Sequence, residues 1–90
     1  MKAIITTVGQ DQVGIIAGVS QYLAQAHINI LDVSQTIMAG YFTMMMAVEV
    51  PAGADFTQLA TELTSLGHTL GVEINLRNEQ LYRAMHQLEG

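Results

Sequence analysis

The chain has no cysteine, no tryptophan and a single proline. Without thiols there is no disulfide framework, no thiol nucleophile and no thiolate metal site. Cations are nearly as scarce. Lys2, Arg77 and Arg83 face eight carboxylates in 90 residues, for a net charge of −5. Nucleic-acid binding needs clustered Lys and Arg against phosphate, so that partner is excluded, and attachment to an acidic membrane surface fails for the same reason. No run approaches the roughly 18 apolar residues of a membrane span. The N-terminal MKAIITTVGQDQ lacks the apolar stretch of a signal peptide, so a cytoplasmic location is the expectation.

Apolar residues are abundant: 50% of the chain, with a mean hydropathy of +0.32 and only 12% charged residues, against about 25% charged in a typical soluble domain. A chain this short makes one domain able to bury only about 60–65% of the surface its unfolded form exposes. Apolar surface is left over, and its commonest cover is a second copy of the chain, so a homodimer or higher oligomer is expected.

AIITTV (3–8), rich in β-branched residues and stopped by Gly9, reads as a strand. Ile15, Ile16, Val19, Tyr22, Leu23 and Ala26 form the apolar stripe of a helix over about 13–26. Gly18 within it weakens the helix by roughly 1 kcal/mol relative to Ala, and a close packing approach is a reason to keep it. From Asn29 to Met38 the period falls to two, with Leu31, Val33 and Ile37 on one face and Asp32, Ser34 and Thr36 on the other. Ala39-Gly40 is a tight break, and YFTMMMAVEV (41–50) follows as a strand with Phe42, Met44, Met46, Val48 and Val50 on one face, which makes a hairpin.

After the PAGA loop, Asp55 can cap a helix with Gln58 at capping-box spacing. Phe56, Leu59, Leu63, Leu66 and Leu70 step by three and four, and Gly71 sits where a C-terminal cap belongs. VEINLR (72–77) alternates as a half-buried strand, and Asn78 can cap a short terminal helix with Leu81, Met85 and Leu88 on one side. The order β-α-β-β-α-β predicts an α+β, ferredoxin-like sandwich: a four-stranded antiparallel sheet with two helices on one face, plus the short C-terminal helix. The second strand is an edge in this topology.

Residues 9–14, GQDQVG, have the glycine spacing of a phosphate-binding P-loop. That chemistry needs Lys and then Ser or Thr next, but Ile15 and Ile16 stand there, and Asp11 breaks the dinucleotide pattern. His27, His68 and His86 have no ligand partner at helical spacing, so they read as separate surface or helix-end histidines rather than a metal site. Met44-Met45-Met46 suits packing better than copper, because a strand points Met45 away from its two neighbours. Ser20, Ser34 and Ser65 have no nucleophile context, and the carboxylates are scattered singly. No catalytic residue and no cofactor is indicated.

With D-Q-V-G-I-I after the first strand and H-I-N-I-L-D entering the second, the chain resembles the ACT domain, a regulatory βαββαβ module that binds small amino acids at dimer interfaces. The likeness covers residues 2–77 and rests on Asp11-x-x-Gly14-Ile15 and Asn29-Ile30. S-Q-T and Y-F-T-M-M resemble a small bacterial group of stand-alone ACT proteins that also carry a terminal helix. The reading is thus an ACT-like domain at 1–77 with a helical extension at 78–90. The family's usual proline before the loop glycine is Val13 here.

The resemblance places a ligand between the first loop of one subunit and the second strand of its neighbour, at Asp11, Gly14, Ile15, Ile16, Asn29 and Ile30. The residue types suit that role. A helix start offers unpaired backbone N–H groups and a positive dipole end for a carboxylate. Gly14 lets backbone approach a ligand, or serves a turn alone. Asn29 carries donor and acceptor, or bonds its own backbone. Asp11 attracts an ammonium, or caps the helix.

The expected function is a non-catalytic sensor of a small amino acid or related metabolite. One alternative is a protein-interaction module with a vestigial pocket, recruiting a protein partner through Tyr41, Met45 and Ala47. An acylphosphatase-like enzyme would need a cation in the first loop, and residues 9–16 contain none.

Overall fold

The computed structural model describes residues 1–10 and 12–80. The elements are β1 (Lys2–Gln10), α1 (Ile15–Gln25), β2 (Asn29–Met38), β3 (Tyr41–Glu49), α2 (Phe56–Leu70) and β4 (Val72–Asn78). All strand pairs are antiparallel, in the order β2-β3-β1-β4, which leaves β2 and β4 as edges. This is the ferredoxin-like sandwich. The expected terminal helix, with Leu81, Met85 and Leu88, lies outside the described residues, as does His86.

The core fills the layer between the sheet and its helices. Ala3, Ile5 and Thr7 of β1, and Phe42, Met44, Met46 and Val48 of β3, point into it and meet Ile15, Val19 and Leu23 of α1 and Leu59 and Leu63 of α2. Met45 points the other way, as a strand requires. Gly18 does mark a close approach: a Cβ there would lie 3.0 Å from a methyl of Leu70, across the contact between the helices. Tyr22 also bridges them, donating its hydroxyl to Glu62 at 2.5 Å. Burial first, and then the Glu62 hydrogen bond and charge, push the phenol well above its ordinary pKa.

Several boundaries differ from the sequence reading. β1 runs through Gly9 to Gln10, because Gly9 pairs with Phe42 on one side and Val72 on the other. A Cβ on Gly9 would lie 2.7 Å from a Val72 methyl, so glycine is what lets the strands close. Helix α1 starts at Ile15 rather than near 13, with Gly14 as its N-cap. At the start of α2 only half of the capping box forms. Asp55 accepts from the Gln58 backbone N–H at 3.1 Å, while the Gln58 side chain donates to Glu62 one turn on. Gly71 closes the helix in the left-handed region, φ 76°, as expected.

β2 departs most. Its polar residues Asp32, Ser34 and Thr36 do share the outer face, but a bulge between Ile30 and Asp32 takes Leu31 out of the alternation and sets Ile30 beside Val48. Every residue of the strand is exposed, Val33 and Ile37 included. The hairpin turn to β3 puts Ala39 and Gly40 at φ 54° and 82°, the two positive values of a type I′ turn. Alanine is a poor choice there, so Ala39→Asn is expected to stabilise the fold by about 0.5–1 kcal/mol. A rise in Tm of roughly 3–6 °C would register it.

Candidate functional site

β1 ends at Gln10, in register with Tyr41 and, through it, Met38. The loop that follows therefore leaves the sheet at the Met38 end of β2. Its far side touches the α2–β4 junction, where a Cβ on Gly71 would lie 3.0 Å from the Gln12 amide nitrogen. Asp11 lies outside the described residues.

Gly14 takes φ 95°, and no side chain caps α1 there. The first helical bond runs from the Gly18 N–H to the Gly14 carbonyl at 2.9 Å. The donors that helix geometry leaves without helical acceptors are thus those of Gly14, Ile15, Ile16 and Ala17. Ala17 was not singled out in the sequence, because it follows only from the later helix start. Ile15 is buried and pins the turn to the core, while Ile16, expected in the same apolar stripe, is 44% exposed. Val13 is fully exposed, so the loop is open to solvent.

The other two candidates are at the far end. Asn29 pairs with Glu49, which pairs with Lys2 at the start of β1. Asn29 and Met38 are the two ends of a ten-residue strand, nine steps or about 30 Å apart at ~3.3 Å per residue. Within one chain, Gly14, Ile15 and Ile16 form one group, and Asn29 and Ile30 form another.

Asn29 is set in place by the end of α1. Ala26, His27 and Ile28 donate backbone hydrogen bonds to Tyr22, Ala24 and Leu23, a Schellman closure with His27 in the left-handed region at φ 59°. Ile28 is buried and anchors the closure. The exposed histidine is therefore a helix-end residue. Among the described residues no group of three or more His, Asp or Glu could hold a metal ion.

The broader hollows lie elsewhere. One of about 380 Å³, lined by Thr64, His68, Glu73 and Asn75, opens along α2 and β4, and one of about 390 Å³ sits by Met1, Lys2 and Asn78. Neither includes the loop after β1. No helix among the described residues is long and apolar enough to cross a membrane.

Comparison with known proteins bears on the family and the fold. A UPF0237 protein of Listeria innocua is 51% identical over 89 residues, spanning 98% of this chain and all of the relative. A UPF0237 protein of Lactococcus lactis is 48% identical, with 98% and 100% coverage. Among solved structures, an ACT domain protein from Streptococcus pneumoniae superposes with a TM-score of 0.84 at 48% identity, covering 91% of this chain and 93% of that one. A protein described as a glycine cleavage system transcriptional repressor shares the fold, with a TM-score of 0.77 at 22% identity over 84% of this chain and 45% of its own. The ACT domain model matches residues 2–77, and the chain belongs to the ACT domain family.

Proposed function

We propose that the protein is a non-catalytic regulatory module that binds a small amino acid or related metabolite at the interface of a homodimer. The observation that carries this reading is the placement of the two candidate groups at opposite ends of β2. Two β2 edges paired antiparallel about a two-fold axis bring Asn29 of one subunit beside the Met38 end of the other, next to its Gly14 loop. The ligand's carboxylate then meets the N–H groups at the start of α1, and its polar remainder meets Asn29 across the interface. Asp11 is the loop's carboxylate for an ammonium group.

The edge itself favours pairing. Ten consecutive exposed residues, including Ile30, Val33, Ile37 and Met38, carry no lysine and no proline, the usual guards of an unpaired edge. Joining two such edges covers apolar surface and backbone groups together. Binding would act by shifting the population of the dimer or of a complex with a partner protein.

Thermal-shift and calorimetric screening against the twenty amino acids is the test. A binder at millimolar concentration is expected to raise Tm by a few degrees through mass action, and Asn29→Ala should remove the shift while leaving the apo Tm nearly unchanged. Gly14→Val is the second control, but φ 95° disfavours any side chain there, so its own stability must be measured alongside. If no amino acid shifts Tm at that concentration, the sensor reading is lost.

A further inference from the structure

The sheet has a second surface, the flat face turned away from the helices, and strand register lays its residues out in rows. One row reads Asp32, Ala47, Ile4, Arg77 across β2, β3, β1 and β4. The next reads Ser34, Met45, Thr6, Asn75, and the third Thr36, Thr43, Val8, Glu73. The centre is apolar or uncharged, with Val8 46% and Met45 38% exposed.

Charge is divided across the rows. Asp32 stands on the β2 side and Arg77 on the β4 side of the same row, while Glu49 and Lys2 take β3 and β1 one row further on. A two-fold axis parallel to the strands, midway between β3 and β1, lays β2 of one copy over β4 of the other at the same level. Asp32 then faces the partner's Arg77, Ala47 faces the partner's Ile4, and Glu49 faces the partner's Lys2. Glu49 already holds the Met1 ammonium at 2.7 Å, so the Asp32 pair is the deciding one.

Shape agrees with charge. A hollow of about 110 Å³ lies on this face, lined by Ile4, Asp32, Ser34, Met45 and Ala47. The same operation directs the partner's Ile4 and Arg77 over its β2 side. In outline, four strands of about nine residues cover on the order of 600 Å². Side-chain relief raises the accessible area, toward the roughly 800 Å² per partner of a stable interface. Aligned sheets packed about 10 Å apart are an ordinary solution for such a face.

We infer that the flat outer face of the sheet is a self-association surface, on which a second copy stacks with its Arg77 against Asp32. This contact is separate from β2 edge pairing and does not rest on ligand binding; it sets the β2 edges of the two stacked copies on opposite sides, so each edge stays open to a further copy and the two contacts together build an open row.

Light scattering on purified full-length chain tests it. Arg77→Glu and Asp32→Arg, both outward-facing, are each expected to lower the wild-type mass to that of the unstacked species, with far-ultraviolet circular dichroism unchanged. Mixing the two variants should restore the wild-type mass in particles containing both, because each supplies the charge the other lacks. Tagging one variant makes the mixed particle visible by pull-down. A monomeric wild type, an unchanged mass in either variant, or a mixture that stays unassociated overturns the proposal. A two-fold axis across the strands would set Arg77 over the partner's Glu73 and leave Asp32 opposite Thr36. Loss in Arg77→Glu alone, with Asp32→Arg intact, therefore also overturns it. Since no arm of the experiment involves an amino acid, its outcome is independent of the sensor reading.

Discussion

Gly67→Ala is expected to lower the stability of the fold by about 2–3 kcal/mol, a fall in Tm of roughly 10–20 °C for a domain of this size. In an exposed helix the same change would raise stability by about 1 kcal/mol, because alanine is the better helix former. Gly67 is buried in α2, and a Cβ on it would lie 2.6 Å from the Val72 carbonyl oxygen and 3.2–3.3 Å from Ile74. The near atom is backbone, so no rotamer change relieves the contact. Either the end of α2 lifts from β4 or the Gly71 turn deforms. Gly18→Ala is the matching control: its close neighbours are the methyls of Leu70, which can rotate, and a net change within about 1 kcal/mol is expected. Urea denaturation of the two variants separates the cases. Equal stability of Gly67→Ala and wild type would refute the close approach of α2 to β4.

Thr7→Val should act in the opposite direction, raising stability by about 1–2 kcal/mol and Tm by roughly 5–10 °C. Thr7 is fully buried on the helix side of β1, between Met44 and Ile74, and its hydroxyl has no hydrogen-bond partner among the described residues. Burying a hydroxyl without a bond costs about 1–3 kcal/mol. Valine keeps the branched shape and the strand preference while removing that cost. A melting temperature at or below the wild-type value would mean that the hydroxyl is satisfied in solution.

What could be read in the sequence was what neighbouring residues decide among themselves. The leucine spacing of α2, Asp55 and Gly71 at its ends, the Ala39-Gly40 turn and the inward set Phe42 to Val48 follow from local periodicity and turn chemistry, and the structure has them all. What could not be read depended on partners distant in sequence. Gly9 looks like a strand terminator until Val72, 63 positions on, is placed against it. Ile16 lies at the margin of the α1 stripe, and only the tilt of the helix on the sheet decides that it stays wet. The alternation in β2 predicts an inner face, but α1 leaves that face uncovered, so Val33 and Ile37 remain exposed. The candidate loop was legible through its glycine. The opposite-end placement of Asn29 was not, since it emerges only from two strand registers combined.

The position of β1 also dictates the order in which this chain can fold. β2 and β3 are joined by a two-residue turn and can pair on their own, on the microsecond scale of hairpins. β1 is made first, yet it lies in the middle of the sheet, between β3 and β4. Its contacts with β4 close loops of some 70 residues, and such non-local pairings are the slow ones. During synthesis β1 therefore waits, with the flank of Ile4, Ile5 and Val8 that β4 will cover left unpaired, until Val72–Asn78 has left the ribosome. A chain stopped before β4 would retain the hairpin and α2 but present the central strand as an open edge, the form most prone to aggregate.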